Sequence, residues 1–145
     1  MIVAIFMQFS ILMYSQSTMS GSVSGTWTFD DDPMDPNING SPYTITGDIY
    51  ISNGNSLTID AGVVVQFQGD FSLTVQSGGT LTVSGTDGNQ VTFTIVSPAT
   101  IWSGINISGN SNTNSFSYCI FEFVSKSPAG GCSTDFASCG AVYLN

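Results

Sequence analysis

The chain has 145 residues, of which 8% are charged, with one basic residue against ten acidic ones, no His, and a net charge of −9. That length suffices for one domain with a real core. Its single cation, Lys126, excludes phosphate neutralisation and so nucleic acid or anionic membrane surfaces as partners, and the missing histidines exclude Ser-His or Cys-His nucleophile pairs and His-based zinc sites.

The first elements in chain order are not part of a fold. Met1 to Tyr14 is apolar but too short to span a bilayer, and it contains Gln8 and Ser10. Ser15-Gln16-Ser17 then supplies small residues at the spacing a signal peptidase requires. Residues 1–17 therefore read as a signal peptide, lacking only the usual basic n-region. The expectation is a secreted or cell-surface protein, with no membrane insertion after cleavage.

Residues 18–43 read as a linker and N-terminal cap region. Its centre, Asp30-Asp31-Asp32-Pro33-Met34-Asp35-Pro36-Asn37-Ile38-Asn39-Gly40, contains the first half of a calcium loop. The twelfth position of that loop is Thr46 rather than a bidentate Glu, and Pro36 and Pro42 interrupt it. Asp30, Asp32 and Asp35 remain as a loose calcium site, the only cofactor left open. The competing reading is a polar loop that blunts the first sheet edge.

From Thr44 to the end the pattern alternates at period two, with no convincing helix. Ile49 and Ile51 alternate, then Leu57 and Ile59, then Val63, Val65 and Phe67. Leu73 and Val75, Leu81 and Val83, then Val91, Phe93 and Ile95 follow. Ile105 and Ile107 precede Phe116, Tyr118 and Ile120. Turns fall at Asn53-Gly54-Asn55, Asp60-Ala61-Gly62, Gly69-Asp70, Ser77-Gly78-Gly79 and Asp87-Gly88-Asn89. Ser56-Leu57-Thr58-Ile59, Ser72-Leu73-Thr74-Val75 and Thr80-Leu81-Thr82-Val83 are near copies. Repetition of short strands indicates a coil of stacked rungs, and favours a parallel β-helix over a hairpin-built sandwich. Asn106, Asn110, Asn112 and Asn114 are candidates for stacked amide ladders.

Chemistry-bearing residues are few. Alternation points Glu122 outward, where Lys126 is a surface partner or, in the functional reading, a base for uronate β-elimination. Asp48, Asp60, Asp70 and Asp87 sit in apparent turns, where Asp is a turn former rather than half of a glycosidase pair. Thr58, Thr74 and Thr82 should face solvent as a row of hydroxyls suited to glycans or ice, although strand propensity alone accounts for them. Trp27 and Trp102 are candidate sugar-stacking rings, with Trp102 reading better as a rung filler. Cys119 lies in an apolar strand as a small hydrophobe. Cys132 and Cys139 lie in one Gly/Ser-rich loop, which a disulfide would close in an oxidising compartment.

Several motifs carry a resemblance. Leu57-Thr58-Ile59-Asp60-Ala61-Gly62-Val63, Gly79-Thr80-Leu81-Thr82-Val83-Ser84-Gly85-Thr86, Val91-Thr92-Phe93-Thr94, Trp102-Ser103-Gly104-Ile105 and Ser117-Tyr118-Cys119-Ile120-Phe121-Glu122 follow one another. Residues 24 to 145 thereby resemble secreted bacterial right-handed parallel β-helix proteins of pectate-lyase-like fold. The leader ending in Ser15-Gln16 resembles those of Bacteroidetes-type secreted proteins. The resemblance implies an all-β, right-handed parallel β-helix, a solenoid whose rungs occupy residues 44–145. A rung-like strand at the very end, with no cap after it, gives the expectation of an N-terminal fragment truncated at its C-terminal side. Fold does not fix activity. The expected role is an adhesin-like or glycan-binding scaffold with no catalysis in these residues and a polysaccharide or cell-surface glycan as partner. The alternative is the N-terminal part of a polysaccharide lyase or hydrolase with its active site downstream.

Overall fold

The computed structural model describes residues 17–29, 40–109, 113–124 and 142–144. Among these residues every regular element is a strand, and every pairing between strands is parallel. The chain winds as a parallel β-helix with three faces.

The first face stacks the N-terminal part of β1 (Ser17–Ser22), the N-terminal half of β3 (Tyr43–Ile51), then β5 (Val64–Phe67), β8 (Val91–Ile95) and β11 (Cys119–Phe121). On the second face, the C-terminal halves of β1 and β3 are followed by β6 (Leu73–Val75), β9 (Ile105–Ile107) and β12 (Val142–Leu144). The third face is a separate four-stranded sheet of β2 (Gly25–Trp27), β4 (Ser56–Asp60), β7 (Thr80–Ser84) and β10 (Ser115–Ser117). β3 serves two faces, pairing with β5 through Tyr43–Ile45 and with β6 through Ile49–Ile51; between the two halves, a side chain at Gly47 would press on Ser20.

Alternation decides what fills the coil. Tyr43, Val65, Phe93 and Phe121 form one column on the first face. Ile49, Leu73 and Ile105 form another on the second, and Leu57 with Leu81 one on the third. Nearly all of these residues are fully buried, with Phe121 at the margin. Each inward strand residue removes on the order of 2 kcal/mol worth of apolar surface from water, and stacking like on like keeps every rung the same width. Aromatic rings extend the columns. The Trp102 ring stacks on Phe67 at 4.2 Å, Phe93 on Phe121 at 5.0 Å, and Trp27 on Tyr43 at 4.6 Å. The polar tips of these buried rings are satisfied: Trp102 Nε1–H donates to the Glu122 carbonyl at 2.7 Å, and the Tyr43 hydroxyl accepts from the Thr28 amide at 3.0 Å.

Three sequence expectations change here. Residues 18–43 contain two paired strands, so the stretch expected as linker and cap already contributes to all three faces. The near copies headed by Leu57, Leu73 and Leu81 do not all stack. Leu57 lies on Leu81, while Leu73 is on the second face between Ile49 and Ile105. Hydrogen-bonded side-chain partners on successive turns are 23 to 33 residues apart, so the true repeat is a whole turn of variable length. Nor do the asparagines form an amide ladder among the described residues. Asn106 pairs with Thr74 in mid-sheet, and Asn114 Oδ1 accepts from the Leu81 amide at 2.6 Å. Asn110 and Asn112 lie outside the described residues.

Candidate functional site

Parallel stacking converts a strand pattern into a surface pattern. On the third face the inward residues are apolar, so the residues between them must face out. β4 presents Ser56, Thr58 and Asp60. β7 presents Thr80, Thr82 and Ser84 in register with them, and β10 adds Ser115 and Ser117. Thr26 of β2 continues the Thr58 and Thr82 column on the other side. All these side chains are half-buried or exposed. They form a grid of hydroxyls spaced about 4.8 Å between strands and about 6.6 Å along each strand. Asp60 is the one ionisable side chain in the grid. Hydrogen bonds knit its edges: Thr80 Oγ1 and Thr113 Oγ1 are 3.1 Å apart, and the Ser117 hydroxyl donates to the Gly85 carbonyl at 3.3 Å. Such a face offers donors and acceptors in a plane and little charge.

The expected single row of Thr58, Thr74 and Thr82 does not form. Thr58 and Thr82 are neighbours on the third face, but Thr74 is on the second, between Tyr50 and Asn106. The turn at Gln76–Gly79 carries the chain around a corner between Thr74 and Thr82, which strand spacing alone does not reveal. Trp27 is not a surface ring either. It is buried in the core, as is Trp102.

The acids are dispersed. Glu122 is exposed, as alternation requires, and its Oε2 accepts from the Thr94 hydroxyl at 2.8 Å. Asp48 and Asp60 belong to strands rather than turns. Asp48 Oδ1 accepts from the Ser72 amide at 2.8 Å and its hydroxyl at 3.0 Å, tying one turn to the next. Asp70 Oδ1 accepts from the Ser103 hydroxyl at 2.7 Å in the same way. Asp87 occupies the tight turn closed by Thr86 and Asn89. Among the described residues no three His, Cys, Asp or Glu side chains gather where they would hold a metal. The calcium candidates Asp30, Asp32 and Asp35 lie outside the described residues, as do Lys126 and the expected disulfide partners Cys132 and Cys139.

Cys119 is less enclosed than its apolar strand implied. It stacks on Val91 at the margin of the core and is only half-buried. Burial pushes its thiol above the ordinary value, and a hydrogen bond to the Ser117 carbonyl at 3.4 Å opposes this in part. The sequence reading did not place four rings that are exposed among the described residues, Phe29, Tyr50, Tyr118 and Phe123. At Tyr118 and Phe123 the backbone is left-handed, which period-two alternation does not encode.

No curated protein and no solved structure matches the chain. A family model does: the three-faced coil, the stacked columns and the Trp102 rung coincide with a match to the pectate-lyase like beta helix domain over residues 36–144, and the chain belongs to that family.

Proposed function

We propose that this β-helix is an extracellular or cell-surface scaffold of adhesin type that binds a neutral polysaccharide. The observation that carries the reading is the hydroxyl grid on the third face. One hydroxyl contact contributes little against water, about 1 kcal/mol net. A rigid array meets a polymer at many points at once, and its ordering cost is already met in folding. A net charge of −9 with a single cation favours neutral over anionic chains. The apolar leader supports secretion, and in that compartment Cys132 and Cys139 close their loop as a disulfide. Calcium at Asp30, Asp32 and Asp35 is a subsidiary part of the proposal.

The test is co-sedimentation with insoluble neutral polysaccharides, comparing the natural protein with the double variant Thr58→Val/Thr82→Val. Valine keeps the strand shape and removes the hydroxyl, so retention by the natural protein and its loss in the variant is the expected result. Equal retention of both removes the grid from the account. The family description favours a second reading, in which the domain is part of a polysaccharide lyase or hydrolase. Release of unsaturated or reducing sugar ends from a polysaccharide would select it.

A further inference from the structure

Among the described residues, an exposed Asn or Asp stands directly before a glycine in two turns: Asn53 before Gly54, and Asp87 before Gly88. Both glycines have left-handed backbone, at φ of 78° and 88°. Such a pair is chemically labile. The glycine amide nitrogen can attack Cγ of the residue before it and close a five-membered imide, because glycine has no side chain to obstruct the approach. Asn loses ammonia in that step and Asp loses water. Ammonia leaves more readily, so intrinsic reactivity favours Asn53.

The fold reverses that order. The Gly54 amide, the nucleophile at the first turn, donates to the Gly78 carbonyl at 3.0 Å. The Asn55 amide donates to the Ser52 carbonyl and the Thr80 amide to the Asn55 carbonyl, both at 3.0 Å, so this turn is tied within itself and to the next turn of the coil. The Asn53 side chain also packs on Gly78, where a Cβ would not fit. Attack at Asn53 must first break the Gly54 bond and lift the side chain off its neighbour. Asp87 is held differently. The Thr86 amide donates to the Asn89 carbonyl and the Asn89 amide to the Thr86 carbonyl, both at 3.1 Å, which closes the turn but leaves the Gly88 amide with no hydrogen bond among the described residues. Gly88 is exposed, and a Cβ there would meet nothing within 4 Å. The nucleophile is free and the space around it is open. We infer that Asp87–Gly88 is a site of spontaneous modification, at which Asp87 converts to isoaspartate through a cyclic imide, while the fold protects Asn53 from the intrinsically faster version of the same reaction.

Water is the one co-reactant. The Gly88 nitrogen bonds to Asp87 Cγ, the Cγ–OH bond of the protonated carboxyl breaks, and the hydroxyl leaves with the amide proton as water. A water molecule then opens the imide at one of its two carbonyls. Attack at Cγ restores aspartate. Attack at the main-chain carbonyl leaves the chain running through Cβ, as isoaspartate. Mass and charge are unchanged, but the main chain gains a methylene. A tight four-residue turn has no slack for it. Thr86 and Asn89 lose their register, and the Asn89 carbonyl is drawn away from the Gly62 amide that it accepts from at 3.1 Å. The corner between β7 and β8 loosens as a result. The inference is independent of the glycan-binding reading.

The experiment incubates the full chain at neutral pH in heavy-oxygen water, folded and in urea, beside the variant Asp87→Glu. Chymotryptic peptides are then mapped by mass spectrometry, with electron-transfer fragmentation to separate isoaspartate from aspartate. Each passage through the imide leaves a heavy oxygen at the residue. In the folded protein, heavy oxygen and isoaspartate should accumulate faster at residue 87 than at residue 53, and the converted chain should melt below its parent. In urea the order should invert. Asp87→Glu should show no conversion at residue 87, because its extra methylene demands a slower six-membered ring. Conversion of Asp87 in urea but not in the folded protein would show that the closed turn protects it, and overturns the inference. So does conversion of Asn53 as fast as Asp87 in the folded protein, since the Gly54 hydrogen bond would then give no protection.

Discussion

At Gly85 the third face turns onto the first with no room for a side chain. A Cβ there would meet the Ser117 carbonyl oxygen at 2.8 Å and press harder still on that of Tyr118. Gly85→Ala should therefore lower stability by about 1–3 kcal/mol through steric displacement of the next turn, read as a fall in melting temperature. Unlike the glycines with positive φ, Gly85 is needed for space and not for backbone freedom. Trp102 makes the opposite demand. Its ring fills the rung between Phe67 and Phe93 and anchors Glu122 through the indole. Trp102→Ala should cost about 3–5 kcal/mol in urea unfolding, more than replacing an aliphatic neighbour. A loss under 1 kcal/mol would mean that the rung collapses without it. The sequence marked Trp102 as a rung filler, because glycine and isoleucine at fixed spacing surround it. It did not mark Gly85, whose constraint comes from carbonyls one turn away.

From β3 onward most strands were written plainly in the chain, while β1, β2 and the partnership of strands were not. The alternation of Leu57 with Ile59, Val65 with Phe67 and Ile105 with Ile107 identifies the inward residues, all of which are buried. Which strand lies above which depends on the length of each turn, and those lengths vary. Leu73 is the clearest example: its segment copies those of Leu57 and Leu81 but stacks on Ile49. Local similarity reflects a shared need for a short buried strand, whereas stacking reflects how far the chain travels around the coil. A cross-link tests the register directly. Thr58 and Thr82 are paired on adjacent parallel strands, and cysteines at about 4.8 Å between Cα atoms can form a disulfide. Thr58→Cys/Thr82→Cys should cross-link on mild oxidation, and Thr58→Cys/Thr74→Cys should not. The reverse outcome would refute the stacking.

Across the whole molecule, composition excluded more than it identified. One cation and no histidine give the expectation of no nucleic-acid partner and of little acid-base chemistry, and leave glycan binding and passive scaffolding equally legible. The hydroxyl grid emerges only in three dimensions, because Thr26, Thr58, Thr82 and Ser115 are brought together from four turns. The acidic loop makes a separate prediction at this scale. If it is only a polar cap, Asp30→Asn/Asp32→Asn/Asp35→Asn leaves the melting temperature in calcium unchanged. A calcium-dependent rise that disappears in the variant would establish a metal site.

The most direct measurement is a binding isotherm of the natural protein on an insoluble neutral polysaccharide at low and high salt. Contacts made by hydroxyls are insensitive to screening, whereas charge attraction is not. The account predicts saturable binding that survives high salt. No binding to neutral polymers, or binding confined to a cationic polymer and abolished by salt, would contradict it.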